Sequence, residues 1–155
     1  MGHTACQLAY GFHLLGLLRL FFCGPPGETP VASGPALDQR RAAIISTAGL
    51  THRGDRPFGM GAVDYRVVPT DAADDLVITH LSTNFDRTGF QQDMNVMFPL
   101  QRLQQMANAG EIGSVAEFHY TFMGASDPAT MKESADQIAG LLKQDKVDAV
   151  LLVPV

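Results

Sequence analysis

Residues 147–153 read VDAVLLV, an aliphatic run interrupted only by Asp148. A run this short and rich in branched side chains is the mark of a central parallel strand buried on both faces. Just upstream, Asp127 and Pro128 suit the N-cap and first residue of a helix, and Met131, Ala135, Ile138, Ala139 and Leu142 form its apolar stripe to about Lys143. Further back, residues 115–122 (VAEFHYTF) alternate in places and predict a strand. Pro99 opens a second amphipathic helix, with Leu100, Leu103, Met106 and Ala107 on one face and Gly110 as terminator. Residues 41–46 (RAAIIS) give a first core strand, residues 64–68 a short strand closed by Pro69, and residues 76–79 (LVIT) another buried strand. Residues 51–60 (THRGDRPFGM) are too polar and broken for core and read as a loop. Strands alternating with helices predict an α/β domain with an open, doubly wound parallel sheet, Rossmann-like and three-layered. VDAVLLV is followed only by Pro154 and Val155, without a covering helix, so the sheet is expected to be incomplete at its carboxyl end.

The composition agrees with one soluble domain: 155 residues, 46% hydrophobic and 17% charged. Sixteen acidic against eleven basic side chains give a net charge of −5, and no basic run is present, which argues against a nucleic-acid partner. Residues 14–23 (LLGLLRLFFC) are the most apolar stretch, yet they fall short of the roughly 18 to 20 residues a membrane crossing needs, and Arg19 interrupts them. No Lys or Arg precedes that run, and bulky Phe22 sits where signal cleavage wants a small residue. The stretch reads instead as an amphipathic helix, or as translation from a start codon placed too early. Residues 24–35 (GPPGETPVASGP) read as a linker, so residues 1–37 form an extension and arm, and residues 38–155 the α/β domain. The two cysteines, Cys6 and Cys23, cannot staple the rest of the chain, and a reducing cytoplasmic setting fits them.

In parallel sheets, ligands bind beyond the carboxyl ends of the strands. Three apolar runs are each followed by a distinctive stretch: residues 46–56, residues 80–89 and residues 154–155. If the strands are parallel, these gather His52, His80, Asp55, Asp86, Arg53, Arg56 and Arg87 at one crevice. Imidazoles move protons near neutral pH, and a guanidinium fork suits a small carboxylate such as that of an amino acid. His52, His80 and Asp86 are therefore the candidate catalytic groups, and Arg53, Asn84 and Arg87 the candidate substrate-binding groups. A plainer alternative pairs Asp55 with Arg53 or Arg56, pairs Asp86 with Arg87, and leaves the histidines as surface groups. His119, inside an aromatic strand, reads as a hydrogen-bonded core residue. The histidines and aspartates have no ligand spacing, so no metal site is expected. Gly59-Met60-Gly61 lacks the strand and the third glycine of a dinucleotide fingerprint. The methionines at 94, 97, 106, 123 and 131 read as core gap-fillers.

The motifs GDRPF, HLSTNFDRTG, FHYTFMG and VDAVLLVPV, together with the sequence between them from about Gly34 to Val155, resemble the selenoprotein B family of glycine, sarcosine, betaine and D-proline reductases. The first thirty or so residues do not share that resemblance. The resemblance implies a selenocysteine, or a cysteine in non-selenium members, immediately after Val155, where the codon would be UGA. It implies reductive cleavage of a bond at the α-carbon of a small amino acid or its N-methylated relative. Other reductase subunits would be partners, one carrying a pyruvoyl group that binds the amine, and a thiol donor would regenerate the selenol. A selenol suits this role because it is ionised at neutral pH, where few thiols are. The nucleophile would then lie outside the 155 residues. The resemblance assigns no role to the histidine, arginine and aspartate side chains above. Two other readings keep the fold: a racemase-like or amino-acid-binding domain using His80 and Asp86, and a non-catalytic scaffold.

Overall fold

A computed structural model of the protein describes residues 33–81 and 88–155. Its centre is β1 (Arg41–Ser46), in which Ala42, Ala43, Ile44 and Ser46 are buried. On one side β1 pairs with β7 (Ala149–Val153), parallel and in register from Ala42↔Ala149 to Ser46↔Val153. On the other side it pairs, also in parallel, with β5 (Ser114–Val115) and then with β6 (Phe118–Phe122). The strand expected over residues 115–122 is thus two short strands separated at Ala116 and Glu117. The backbone groups released at this break are satisfied by side chains. Ile44 N–H donates to His119 Nδ1 at 2.9 Å, while Glu117 N–H and Phe118 N–H donate to Asp145 Oδ2 at 2.8 and 3.3 Å.

The sheet is mixed, which corrects the all-parallel expectation. β3 (Tyr65–Pro69) runs antiparallel to β6, with Tyr65 opposite Phe122 and Pro69 opposite Phe118. The LVIT run also lies outside the main sheet. Its β4 (Leu76–Ile78) pairs antiparallel with β2 (Leu50–His52), so Thr51 and His52 are strand residues and the following loop begins only at Arg53. Apolar runs announce burial but not the partner or direction of pairing, which long-range packing decides. β7 is the clearest case. Among the described residues it pairs only with β1, and Val150 and Leu151 are each 41% exposed and Leu152 67%, so the second neighbour and the cover that a central strand has are not among them.

One cluster lies on each sheet face. The first joins Ile44, Leu50, Val68, Met97 and Phe98 to Leu100 and Leu103 of the second helix, α2 (Leu100–Asn108), which follows α1 (Thr88–Gln92). The helix ends as expected: Gly110 has φ 74°, and Glu111 N–H returns to Met106 O at 2.9 Å. The second cluster packs Ile138, Leu141 and Leu142 of α3 (Lys132–Gln144) against Tyr120 and Phe122, while Ala135 and Ala139 of the expected stripe stay exposed. Asp127 caps the preceding 3-10 turn Pro128–Met131 by accepting from Ala129 N–H at 3.0 Å. Of the five methionines read as gap-fillers, Met97 and Met123 are buried, and Met94, Met106 and Met131 pack against the two clusters. Among the described residues no helix is long and apolar enough to cross a membrane.

His119 is buried and hydrogen-bonded through both ring nitrogens, as its place in an aromatic strand suggested. Because Nδ1 accepts from Ile44 N–H, Nε2 carries the proton and donates to Thr70 Oγ1 at 3.1 Å, whose hydroxyl donates to Ala116 O at 2.7 Å. Desolvation holds the imidazole down to about 4, against its ordinary 6.5. The folded protein therefore keeps His119 neutral where the unfolded chain binds a proton. Its contribution is complete above pH 6.5 and is lost as the pH falls towards 4, by about 3 kcal/mol in all. Urea unfolding followed across that window should show the decline, with a flatter profile for His119→Gln. A wild-type profile flat from pH 6.5 to 4 would contradict this account.

Candidate functional site

The parallel strands β1, β6 and β7 end at one rim, and the segments leaving them are tied together there. After β1, Gly49 N–H donates to Phe122 O at the end of β6 (2.8 Å). Gly49 O in turn accepts from Thr79 N–H (2.9 Å) and Thr79 Oγ1 (2.8 Å), just past β4. This junction demands glycine. Gly49 has φ 62°, and a Cβ built there would stand 2.9 Å from the Cα of His80. His80 thus reaches the rim of the parallel sheet by a route other than the one expected, since β4 is not a strand of that sheet. Its side chain is buried.

Polar side chains fasten the same corner from within. Ser46 Oγ donates to Met97 O at 2.8 Å and accepts from Ala48 N–H at 3.2 Å, and Leu50 N–H donates to Thr121 Oγ1 at 3.1 Å. Beyond β7, Val155 N–H donates to Thr47 Oγ1 at 2.9 Å, and Thr47 Oγ1 lies 3.4 Å from Val155 O. Gly124, two residues past β6 at φ 80°, leaves room for that threonine: a Cβ there would stand 2.7 Å from Thr47 Cβ and Thr47 O.

The remaining sequence-predicted residues divide. The antiparallel register of β2 and β4 sets His52 opposite Leu76, so it lies four residues along the ribbon from the level of His80. At strand rise that is about 13 Å. Arg53 continues away from the rim and pairs with Asp75, its Nε 3.5 Å from Oδ1 and its backbone N–H on Asp75 O at 3.0 Å. The structure therefore does not bring His52 and Arg53 together with His80. Asp55 makes no ion pair with Arg53 or Arg56; its N–H donates to His52 O at 3.1 Å. Asn84, Asp86 and Arg87 lie outside the described residues.

The GDRPFGM loop is built on an aromatic anchor. Phe58 is buried under Arg66, whose guanidinium carbon lies 4.3 Å from the ring centroid. Arg66 also pairs with Asp64 at 2.5 Å and reaches Arg56 O at 3.3 Å. Met60 is 84% exposed in a polar turn, unlike a dinucleotide loop. The far end of the loop returns to the rim, where Ser126 Oγ donates to Ala62 O at 2.7 Å. Sequence reasoning missed Thr47, Gly49, Gly124 and Ser126 as the groups that assemble this corner. The signal available was only the small-residue composition after each apolar run. Among the described residues no group of three His, Cys, Asp or Glu side chains is placed to hold a metal ion.

Comparison with known proteins gives the same region a family. The profile of glycine/sarcosine/betaine reductase selenoprotein B matches residues 34–155. The D-proline reductase subunit gamma of Acetoanaerobium sticklandii is 33% identical over 132 residues, covering 83% of this chain and 53% of that protein. The betaine reductase complex component B subunit beta of Peptoclostridium acidaminophilum is 27% identical over 136 residues, covering 83% of this chain and 31% of that protein. The chain spans about half the length of the first relative and about a third of the second. No solved structure matches it.

Proposed function

The chain belongs to the glycine/sarcosine/betaine reductase selenoprotein B family, and from that membership we propose that it is the amino-terminal part of a reductase subunit. The reaction is reductive cleavage of a bond at the α-carbon of a small amino acid or its N-methylated relative, and its two electrons come from a thiol donor that ends as a disulfide. The two relatives are named as a subunit of a D-proline reductase and a subunit of a betaine reductase complex, which favours this reading over a racemase-like domain or a scaffold. The parallel β6–β1–β7 core is, on this reading, part of an open doubly wound sheet that works in the cytoplasm.

One observation carries the proposal: the backbone leaving β7 is held at Val155 by Thr47, on the rim where the exits of β1 and β6 and the residue His80 meet. A selenocysteine or cysteine directly after Val155 fits that place, because it would emerge at the carboxyl edge of the sheet, where parallel folds carry their chemistry. Such a residue supplies a selenolate or thiolate nucleophile. His80 is the proposed proton-handling group. Asn84, Asp86 and Arg87 follow it within seven residues, with Arg87 and Asn84 proposed for the substrate carboxylate and Asp86 for orienting the imidazole. A pyruvoyl-bearing partner subunit would hold the substrate amine.

The test uses the full-length product assembled with its partner subunits. With dithiothreitol as donor, it should reduce one of D-proline, glycine, sarcosine or betaine, and Arg87→Ala should raise KM for that substrate at least ~10-fold, the loss of a charge-assisted hydrogen bond. No reduction of any of the four would sink the functional reading. The codon after Val155 should be UGA or a cysteine codon; UAA there would sink the nucleophile assignment.

A further inference from the structure

We propose that Thr47 is a positioning residue that fixes the backbone leaving β7, and so sets where the residue after Val155 stands relative to His80. The inference rests on the reading above for what that following residue does, but the clasp itself is independent of it. Val155 lies two residues beyond the last ladder pair of β7, Ser46↔Val153, so no strand neighbour fixes its peptide. Thr47 supplies the missing anchor twice. Its backbone N–H extends the ladder to Val153 O at 3.1 Å, and its hydroxyl then accepts the N–H of Val155 at 2.9 Å. One β-branched residue thereby carries the pairing past the end of the strand.

The hydroxyl is held in place by its surroundings. A Cβ at Gly124 would stand 2.7 Å from Thr47 Cβ and 3.2 Å from Thr47 Oγ1, so only glycine leaves room for this side chain. Gly124 is also in the left-handed region at φ 80°, where other residues are strained. The γ-methyl of Thr47 makes its side chain β-branched, which limits its χ1 choices. Thr47 touches neither substrate nor nucleophile on this view; it acts through the peptide it grips.

Positioning has a kinetic signature. A displacement of about 1 Å at a reacting group can cost about 100-fold in rate while leaving binding little changed. In the assembled full-length complex, Thr47→Val removes the hydroxyl at nearly constant volume. It should lower kcat about 100-fold with KM within about twofold. Amide exchange at Val155 should accelerate about 10-fold, as the loss of one hydrogen bond allows. Thr47→Ser keeps the hydroxyl and should restore most of both quantities. Should Thr47→Val fail to assemble, the wild-type complex still decides, because a Val155 amide that exchanges as fast as an open peptide overturns the clasp. Unchanged kcat in Thr47→Val with faster Val155 exchange overturns the positioning role. A wild-type complex that reduces none of the four substrates overturns the functional reading instead, while leaving protection of Val155 as a separate result.

Discussion

Asp145→Ala is expected to destabilise the domain by about 3 kcal/mol, a large fraction of the ~5–15 kcal/mol by which such domains are stable. Asp145 caps the end of α3, and its carboxylate is only 11% exposed. Oδ1 accepts from Arg41 Nε at 3.1 Å and from Arg41 Nη2, and Oδ2 accepts the two N–H groups freed at the break between β5 and β6. Arg41 answers with Nη1 on Val115 O at 2.9 Å and Nε on Asp145 O at 2.7 Å. One carboxylate thus joins the first residue of β1, the strand break and the end of a helix. Removing it leaves a partly buried guanidinium and two backbone donors without their acceptor, which costs more than the pair contributes when intact. Burial works to raise the carboxyl of Asp145, but the Arg41 guanidinium and the N–H groups of Glu117 and Phe118 outweigh it and hold the group below the usual carboxylate range. Its contribution is therefore present above the unfolded carboxyl's pKa and is lost as the pH falls through the lower folded value. Asp145→Asn should fall between wild type and alanine, since one oxygen remains. Urea midpoints at pH 7 measure all three, and a cost below 1 kcal/mol for alanine would mean that the pair behaves as an exposed one.

Gly49→Ala should cost about 3 kcal/mol, and Gly61→Ala, which shares only the backbone strain, about 1 kcal/mol. Both glycines have positive φ, 62° and 69°. They differ in surroundings: nothing lies within 4 Å of a Cβ at Gly61, whereas one at Gly49 meets the Cα of His80 at 2.9 Å. That obstacle is backbone, so relief requires parting Thr79 from Gly49 O and moving His80 off the rim. Thermal unfolding of the two variants isolates the close approach as their difference. Equal losses would show that the junction yields without resistance.

Much of this was legible because it is local. RAAIIS forms β1 over the same six residues, Gly110 ends α2, and Asp127 caps the turn before α3. Each follows from side-chain chemistry within a few positions. The direction of β3 and the withdrawal of LVIT into a ribbon with β2 were not legible, since both depend on partners distant in the chain. The candidate site shows the same division. His80 could be singled out by its place after an apolar run, and it does stand at the rim. His52 could be singled out by the same rule, yet the antiparallel turn of the ribbon carries it away. Thr47 could not be singled out at all, because its role exists only where Val155 comes back to meet it.

β7 has a further consequence for the polypeptide as a material. Among the described residues its outer row of amide and carbonyl groups has no neighbour, and three successive aliphatic side chains, Val150, Leu151 and Leu152, face water. A segment of that kind recruits any other extended chain it meets, including its own twin, and so seeds insoluble deposits. Solubility therefore turns on how soon that flank acquires a companion strand.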